Sequence, residues 1–355
     1  NHVVVEVTID GKPTRAIFDT GGGNVLDPAF VKTAGLKTFG HGIASGAGEG
    51  TVSASNTRVA SLKIGNLELR DQTFRVFSLP AALTGGDARP VEAIVGRELL
   101  ARYATRIDYD ARTLTFWPLD GFAYAGSASP IPFQSRHGTP EVRATIDGVG
   151  GLFQIDTGSA ASVVLTAPFV AANDLRHAYR LAGHTIVGRG VGGYTRADLA
   201  RGKLLKIGDV EVSDPVLDLS TDRAGVFASS AIAGNIGNDV LSRFTLTLDY
   251  RRRVLYLEPD AEIGTPAPPN RAGMYAQNDD RRFYNVVDVV ENGPAYEAGV
   301  RAGDRIVAIG GVPAASVPAS AFWQLVHGPP GSAMRVTVER DGTDQTLTIL
   351  LRETL

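Results

Sequence analysis

Apolar and polar residues alternate in many short runs along the chain, a pattern typical of β-strands. Residues 3–9 and 141–146 each alternate in this way, reach an Asp-Gly pair and continue into a second apolar run. An Asp-Gly pair between alternating segments is a strong signal for a β-hairpin. Long helical periodicity does not occur before residue 260, where only short helices are predicted, near residues 97–103 and 238–244. The pattern therefore predicts a mainly β protein.

The two hairpins belong to a long internal repeat. Residues 3–26 match residues 141–164, and in each copy the second strand leads into Asp-Thr-Gly, beginning at Asp19 and at Asp156 (156 − 19 = 137). The match continues through later segments in the same order, namely 62–69 with 205–212 and 94–100 with 235–241. We therefore predict two similar lobes related by a pseudo-twofold axis, over residues 1–125 and 126–262.

A third unit follows the repeat. Residues 263–270 are Pro-rich and predict a linker. Residues 271–355 then show a strand, a short helix opened by Pro294, a second strand, an amphipathic helix over 318–326 and a hairpin at Asp341-Gly342. This pattern predicts a small separate domain.

Composition excludes several classes of function. The net charge is −3, without the basic excess that nucleic-acid binding requires. The chain has no cysteine, and its six histidines form no metal-ligand motif, so we predict no metal and no cofactor. No apolar run reaches the roughly 18 residues of a membrane span. The chain begins at Asn1 within a strand pattern, so we expect that any export signal has been removed or lies outside this sequence.

The doubled Asp-Thr-Gly indicates acid–base chemistry. Two carboxyl groups about 3 Å apart share one proton, because both cannot ionise easily. The ionised member can deprotonate a water while the protonated member donates to a carbonyl oxygen. A glycine after each threonine allows a tight turn and a close approach of the two lobes. We expect each threonine hydroxyl to hydrogen-bond across the axis.

These features resemble the pepsin-like and, more closely, the retropepsin-like aspartic proteases. The resemblance spans residues 3 to 258 and includes the apolar-Gly segments 94–96 and 235–237. It implies a two-lobed β-barrel fold without a cofactor, in which a protein or peptide substrate is cleaved. The implied catalytic residues are Asp19 and Asp156, and the residues implied to support the two turns are Thr20, Gly21, Thr157, Gly158 and Ser159.

Two positions depart from the family pattern. The second turn continues with Ser159, whereas the first continues with Gly22. A hydroxyl at Ser159 can donate to the outer oxygen of Asp156 and stabilise its charged form. We therefore hypothesise that Asp19 more often holds the shared proton, although titration belongs to the pair. Asn235 replaces the apolar residue found at Ile94, which makes the second segment the weaker match.

Each lobe also has a glycine-rich loop where the family has a flap over the substrate. The second loop contains Gly-x-Gly-x-x-Gly at Gly188, but a β-rich stretch follows it, which argues against a dinucleotide site. Tyr194 is either a flap aromatic over the dyad or an ordinary strand residue. The predicted flap residues are Gly48, Glu49, Gly50, Gly190, Gly192, Gly193 and Tyr194.

The last 85 residues resemble a bacterial-type PDZ domain through Gly293-Pro294-Ala295, Ala298-Gly299 and 303–306. Such a domain, a small β-sandwich with short helices, binds an extended peptide, often a free C-terminus, as an added strand. Its first segment departs from the usual Gly-Leu-Gly-Phe, and a purely structural module is the alternative. The implied groove residues are Gly273, Met274, Tyr275, Ala276, Phe322, Leu325 and Val326.

The sequence thus predicts an aspartic endopeptidase whose PDZ domain recruits substrate, binds a C-terminal peptide or regulates access. A peptide-binding protein that keeps the fold without catalysis is the main alternative, and a two-carboxylate glycosidase is a weaker one. From the resemblance to bacterial PDZ-containing proteases we expect a periplasmic or otherwise extracytoplasmic location.

Overall fold

The computed structural model describes residues 2–79, 90–261, 263–266, 268–279 and 282–355. Its strands form three sheets, and its helices are short. The mainly β prediction is therefore confirmed. The predicted boundaries at residues 1–125, 126–262, 263–270 and 271–355 stay predictions, and residues 1, 80–89, 262, 267, 280 and 281 within them lie outside the described part.

The first sheet is built by the N-terminal repeat. Its strands are β1 (Val4–Ile9), β2 (Lys12–Asp19), β3 (Val25–Leu26), β4 (Thr38–Ala44), β5 (Val52–Ile64), β6 (Leu67–Val76) and β7 (Val91–Gly96). They lie in the order β1-β2-β7-β3-β6-β5-β4. The Asp-Gly turn joins β1 to β2 as predicted, with Asp10 and Gly11 both at positive φ. The strand β2 runs parallel to β7, which places the ends of both strands together.

The second sheet contains the strands of the second repeat and two strands of the first. They are β8 (Tyr103–Asp108), β9 (Thr113–Pro118), β10 (Ile131–Arg136), β11 (Thr139–Ile146), β12 (Val149–Ile155), β13 (Val163–Leu165), β14 (Gly183–Gly190), β15 (Gly193–Arg201), β16 (Leu204–Ile207), β17 (Val210–Ser213), β18 (Val216–Ser220), β19 (Gly234–Ile236), β20 (Phe244–Asp249) and β21 (Val254–Pro259). The main path is β14-β15-β18-β13-β19-β12-β11-β10-β21-β20-β8-β9.

The pseudo-twofold axis passes through the pairing of β8 with β20. Arg106 faces Thr247, and Ile107 faces Leu246. The repeat offset here is 141 (248 − 107 for Ile-Asp-Tyr and Leu-Asp-Tyr), and 247 − 106 is also 141. Arg106 therefore faces its own equivalent, and the pairs on either side, Ile107 with Leu246 and Thr105 with Leu248, are related by the same axis. One apolar core extends through both repeats, with Phe18 and Phe153 fully buried before the two turns.

Short helices lie between some of the strands along the chain. The two predicted helices are present but end early, at Leu100 and Leu241. Two further helices follow equivalent strands β3 and β13, and each is opened by a side-chain cap, Asp27 in the first and Thr166 in the second. The helices are Pro28–Ala34, Arg97–Leu100, Ala167–Ala172, Leu175–Ala178, Asn238–Leu241, Pro294–Glu297 and Ala319–Val326, with 3₁₀ turns at Val226–Ala228 and Ala314–Ser316.

The third sheet has its own core. Its strands are β22 (Met274–Gln277), β23 (Tyr284–Val289), β24 (Arg305–Ile309), β25 (Val312–Pro313), β26 (Ala333–Arg340) and β27 (Thr343–Leu350). They lie in the order β22-β23-β24-β26-β27, with β25 on β24. Tyr284 and Ile306 are buried in a cluster that belongs to this domain alone. The strand β22 is an edge strand beside the helix Ala319–Val326.

Candidate active site

The two predicted catalytic aspartates stand at equivalent strand ends. Asp19 ends β2, and Asp156 directly follows β12. Asp19 pairs with Gly96 of the parallel strand β7, where a Cβ atom would lie 1.7 Å from the carbonyl oxygen of Asp19. Only glycine allows the two strands to cross this closely behind the turn.

The two turns bring the carboxyl groups into contact. Asp19 and Asp156 are within hydrogen-bonding distance of one another. The backbone N–H of Gly21 donates to Oδ1 of Asp19 at 2.7 Å, and that of Gly158 donates to Oδ1 of Asp156 at 2.8 Å. A Cβ on Gly21 would lie 2.6 Å from Oδ1 of Asp156, and one on Gly158 would lie 2.4 Å from Cγ of Asp19. Each turn thus needs glycine because the carboxyl group of the other turn packs against it.

The two threonines cross-link the turns. The backbone N–H of Thr20 donates to Oγ1 of Thr157 at 3.1 Å, and that of Thr157 donates to Oγ1 of Thr20 at 3.0 Å. Each hydroxyl in turn donates to a carbonyl of the opposite strand, Thr20 to Ile155 at 2.6 Å and Thr157 to Phe18 at 2.7 Å. The structure therefore shows the cross-axis hydrogen bonds expected from the sequence, in a fully buried setting.

Burial and the neighbouring carboxyl group control the titration of Asp19. Burial raises the pKa of Asp19 well above its usual range, and the charge of Asp156 and the hydrogen bond between the two groups raise it further. Hydrogen bonds from the backbone N–H groups of Gly21 and Gly22 lower the pKa of Asp19, but by less than burial and Asp156 raise it. Such a pair retains one proton at pH values where an isolated aspartate has lost it.

The carboxyl group of Asp156 accepts a hydrogen bond from Asn235, a residue that the sequence analysis treated only as a weaker match to the family pattern. Nδ2 of Asn235, on β19, donates to Oδ2 of Asp156 at 2.6 Å. Ser159, for which we predicted this contact, instead accepts a hydrogen bond of 3.4 Å from the backbone N–H of Ala161. The predicted Ser159–Asp156 contact was therefore wrong. The only signal in the sequence was the amide itself, at a position where the first repeat has Ile94.

The two glycine-rich loops meet above the dyad. The first is the loop 45–51 between β4 and β5, and the second is the tip of the β14–β15 hairpin. The N–H of Gly50 donates to the carbonyl of Gly192 at 2.7 Å, and the N–H of Gly192 donates to the carbonyl of Ala47 at 2.8 Å. A Cβ on Gly48 would lie 2.5 Å from the backbone of Gly192. The tips therefore close on one another through backbone contacts that require glycine.

The remaining predicted flap residues divide between the cavity and its rim. Glu49 and Gly190 line the cavity over the dyad. Oε1 of Glu49 also accepts a 2.6 Å hydrogen bond from the backbone N–H of Arg223, which ties the first flap to the second lobe. Gly193, at φ +102°, turns the tip of the second flap. The hairpin around Gly188 confirms that the Gly-x-Gly-x-x-Gly is not followed by a helix.

Tyr194 does not lie over the dyad. Its ring packs edge-on against Tyr275 of β22, 6.2 Å between centroids, and its hydroxyl accepts a 2.8 Å hydrogen bond from Nε2 of Gln277. Arg189 stacks its guanidinium 5.3 Å from the same ring. The flap-aromatic interpretation of Tyr194 was therefore wrong, and the residue instead joins the second flap to the C-terminal domain.

The groove of the C-terminal domain lies between β22 and the helix Ala319–Val326. Met274, Tyr275 and Ala276 line it on the strand side. The N–H of Gly273, a predicted groove residue, donates to Oδ1 of Asn270 at 3.0 Å, and Nδ2 of Asn270 donates to the carbonyl of Met274 at 2.8 Å. The side chain of Asn270 therefore occupies the end of the groove where a peptide carboxylate is expected.

The helix side of the groove differs by one residue from the prediction. Phe322 and Val326 are buried and line the groove, and Phe322 stacks on Tyr284 with 4.2 Å between centroids. Leu325 is 40% exposed and points away from the groove, so its assignment was wrong. Trp323 takes its place, since residues 322, 323 and 326 share one helical face.

One cavity of about 1870 Å³ connects these two regions within the described residues. It is lined by Asp19 and Asp156, by the flaps, and by the groove residues Tyr275 and Phe322. Among the described ranges, no group of three or more His, Cys, Asp or Glu residues is arranged to hold a metal ion. None of the helices described there has the length and apolar character that crossing a bilayer requires.

Comparison with protein-family models agrees with this geometry. Residues 5–99, which include Asp19, match the aspartyl protease family, and residues 273–351 match the PDZ domain family. The chain joins an aspartyl protease fold to a PDZ domain. Asp156 lies beyond the matched range, and its equivalence to Asp19 rests on the internal repeat and the shared turn geometry. No curated protein sequence matches the chain.

Solved structures give more distant likenesses. The chain is similar to an aspartic proteinase from Irpex lacteus, with 17% sequence identity, a TM-score of 0.48 and coverage of 74% of this chain and 95% of that one. It is also similar to an aminopeptidase N family protein from Idiomarina loihiensis, with 24% identity, a TM-score of 0.21 and coverage of 24% of this chain and 14% of that one.

Proposed function

We propose that this protein is an aspartic endopeptidase that hydrolyses peptide bonds with a water activated between Asp19 and Asp156. One observation carries the proposal: the carboxyl groups of two equivalent turns lie within hydrogen-bonding distance of one another, in a cavity beneath two closed flaps. Their mutual approach and the buried threonine cross-links hold them in a fixed geometry, which acid–base catalysis on an amide requires.

The asymmetry of the dyad supports an assignment of its proton. Asp19, whose pKa burial and the neighbouring charge raise, holds the proton and donates it to the carbonyl oxygen of the scissile bond. Asp156, whose Oδ2 accepts from Asn235, serves as the base that takes a proton from the attacking water. When the C–N bond breaks, Asp156 gives the proton that it took from water to the leaving amine, and Asp19 takes a proton back from a hydroxyl of the gem-diol intermediate, so the dyad ends in its starting state.

The substrate is an extended peptide in the cavity below the flaps. Its entry requires the flap tips to separate, which breaks the hydrogen bonds from Gly50 to Gly192 and from Gly192 to Ala47. Opening also breaks the contacts of the first flap with the second lobe, where the backbone N–H groups of Arg223 and Val226 donate to Oε1 of Glu49 and to the carbonyl of Gly46.

We propose further that the PDZ domain regulates this opening. Its groove strand holds the second flap through Tyr275 and Gln277, which contact Tyr194. Asp288 of β23 accepts hydrogen bonds from the backbone N–H of Ile186 at 2.9 Å and from Nη1 of Arg196 at 3.1 Å, one on each strand of the flap hairpin. A peptide bound along β22 would act directly on the element that gates the dyad. Recruitment of substrate by the same groove is compatible with the continuous cavity.

The decisive experiment is proteolysis of a denatured protein from about pH 4 to 8 by the wild type, Asp19→Asn and Asp156→Asn. We expect cleavage by the wild type and loss of at least about 10³-fold in rate in either variant, with unchanged far-UV circular dichroism. Cleavage that survives in both variants, or no cleavage at any pH with or without PDZ-binding peptides, would favour a peptide-binding protein that keeps the fold. A bacterial, periplasmic location stays a prediction from the resemblance, to be tested by fractionation.

A further inference from the structure

The strand β18 places on the cleft a carboxyl group that the dyad does not use. Side chains alternate along this strand, with Leu217 and Leu219 in the core and Val216 and Asp218 lining the cavity. Asp218 is only 6% exposed, so the little surface it retains faces this cavity.

The sheet register fixes the position of Asp218 relative to the dyad. Asp218 pairs with Leu199 on one side and with Val164 on the other, and Val164 pairs with Asn235, which binds Asp156. All of these residues line the cavity. Asp218 therefore lies two strand spacings, about 10 Å, from the residue that supports the dyad. This is the reach of one substrate side chain beside the scissile bond.

Asp218 has no compensating partner within the described residues. No hydrogen bond or ion pair to its carboxyl group occurs there, and the charge that acts on it most is that of Asp239, which has the same sign. Burial and, to a lesser degree, the charge of Asp239 together raise the pKa of Asp218 to about 7. The cations nearby, Arg201 and Arg243, act on Asp239 instead. A buried carboxyl group of this kind is costly unless a cation or donors compensate it.

The equivalent position of the first lobe has the opposite charge. Residues 62–77 repeat as 205–220 with an offset of 143, so Arg75 corresponds to Asp218 (218 − 75 = 143). The register agrees, because Arg75 pairs with Val25 as Asp218 pairs with Val164. Arg75 also lines the cavity and donates from Nη2 to the carbonyl of Ile43 at 2.7 Å. The two symmetry-related subsites thus differ in charge.

We propose that Asp218, with Asp239 beside it, forms a subsite that binds the side chain of a lysine or arginine in the peptide substrate. Val164 and Leu199 flank it and suit the aliphatic stem of such a side chain. Arg75 repels a cation at the equivalent subsite, so the basic residue falls on one side of the scissile bond only. This inference rests on the proposed peptidase function, because it assigns the substrate class of the same cleft.

The test compares cleavage preferences of the full-length wild type and Asp218→Asn on a peptide library read by mass spectrometry. We expect lysine or arginine to be enriched about tenfold at one position by the wild type and not by Asp218→Asn. Asp209→Asn, in the exposed turn between β16 and β17, is the matched control and should keep the preference. Cleavage without a basic preference, or a preference that survives in Asp218→Asn, overturns the subsite and leaves the peptidase intact.

A binding measurement separates this inference from the peptidase proposal. Full-length Asp19→Asn is titrated, by fluorescence anisotropy, into labelled apolar peptides in which one lysine or one norleucine occupies each position in turn. We expect lysine at one position to bind about tenfold more tightly than norleucine, and Asp19→Asn with Asp218→Asn to abolish the difference. Equal binding, or no binding of any peptide, overturns the subsite even if the wild type cleaves nothing.

Discussion

Nδ2 of Asn235 lies 2.6 Å from Oδ2 of Asp156, and the equivalent residue of the first lobe, Ile94, offers no donor at that position. Asn235 pairs with Gln154 of β12 in parallel register, so its side chain is held at the strand end that presents Asp156. An amide donor stabilises negative charge on the oxygen that it contacts. The two Asp-Thr-Gly sequences are therefore distinguished by a residue outside both of them.

Replacing Asn235 tests this distinction. In Asn235→Ala the donor is lost, and we expect kcat to fall about 10- to 100-fold, since a hydrogen bond to a charged group contributes about 1.5–3 kcal/mol. The acidic limb of the pH–rate profile should move to higher pH, because the base loses its stabilising donor and gains a proton more readily. The control is Asn66→Ala, in the exposed turn between β5 and β6. A profile identical to the wild type would assign Asn235 a packing role only.

The threonine cross-links predict a large and specific effect on stability. Thr157→Val keeps the shape of the side chain but removes the hydroxyl that accepts from Thr20 and donates to Phe18. Because both partners are fully or nearly fully buried, we expect a loss of about 2–5 kcal/mol in the free energy of unfolding, measured with urea. Thr157→Ser, which keeps the hydroxyl, should lose much less. Equal losses in both variants would indicate that the methyl group matters and the hydrogen bonds do not.

Asp218 gives a prediction that does not depend on catalysis. Its pKa rises from the usual 3.8 to about 7 in the folded protein. The folded state therefore holds a proton between these values that the unfolded state has lost, so this contribution to stability is present below about pH 4 and is lost as pH rises to 7. Three pKa units correspond to about 4 kcal/mol, which is an upper bound.

The neutral variant Asp218→Asn cannot lose that proton. We expect it to exceed the wild type by about 2–4 kcal/mol in urea unfolding at pH 8 and to equal it at pH 4. Asp239, Arg201 and Arg243 are the other charged groups around this position and are unchanged in the comparison. A constant difference between pH 4 and pH 8 would show that Asp218 titrates normally.

Much of the fold could be predicted because most elements of a lobe occur twice in the sequence, so that one copy supports the prediction for the other. The hairpins at Asp10 and Asp147 follow from Asp-Gly pairs, because both residue types tolerate the positive φ that a two-residue hairpin turn requires. The helices Pro28–Ala34 and Ala167–Ala172 were missed because each is too short for helical periodicity to show. Their signal was local, a capping Asp27 or Thr166 followed by proline in the first turn.

The site was predictable where local sequence determines it and not where distant segments meet. Asp19, Asp156 and the two threonines are placed by their own turns. The contact of Asn235 with Asp156 joins strands 79 residues apart, and that of Tyr194 with Tyr275 joins two domains. Leu325 was misplaced because the apolar pattern of its helix does not distinguish Leu325 from Trp323. Asp218 could be recognised as a cleft residue only from the strand register, which places it opposite Val164.

The contacts between the PDZ domain and the second flap can be removed by mutation without changing any residue of the dyad. In Asp288→Ala the hydrogen bonds to Ile186 and Arg196 are lost, so each strand of the flap hairpin loses one of its hydrogen bonds to the PDZ domain. We expect amide hydrogen exchange over residues 186–196 to accelerate by at least about fivefold, because opening no longer breaks those bonds. Turnover of a short peptide substrate should rise several-fold, since flap opening becomes easier.

Asp344→Ala, exposed on β27 at the far edge of the PDZ sheet, is the matched control and should leave both the exchange rate and the turnover unchanged. Unchanged exchange in Asp288→Ala would contradict regulation through this contact. Faster exchange with unchanged turnover would place the rate-limiting step elsewhere than flap opening and would leave the PDZ groove with substrate recruitment as its function.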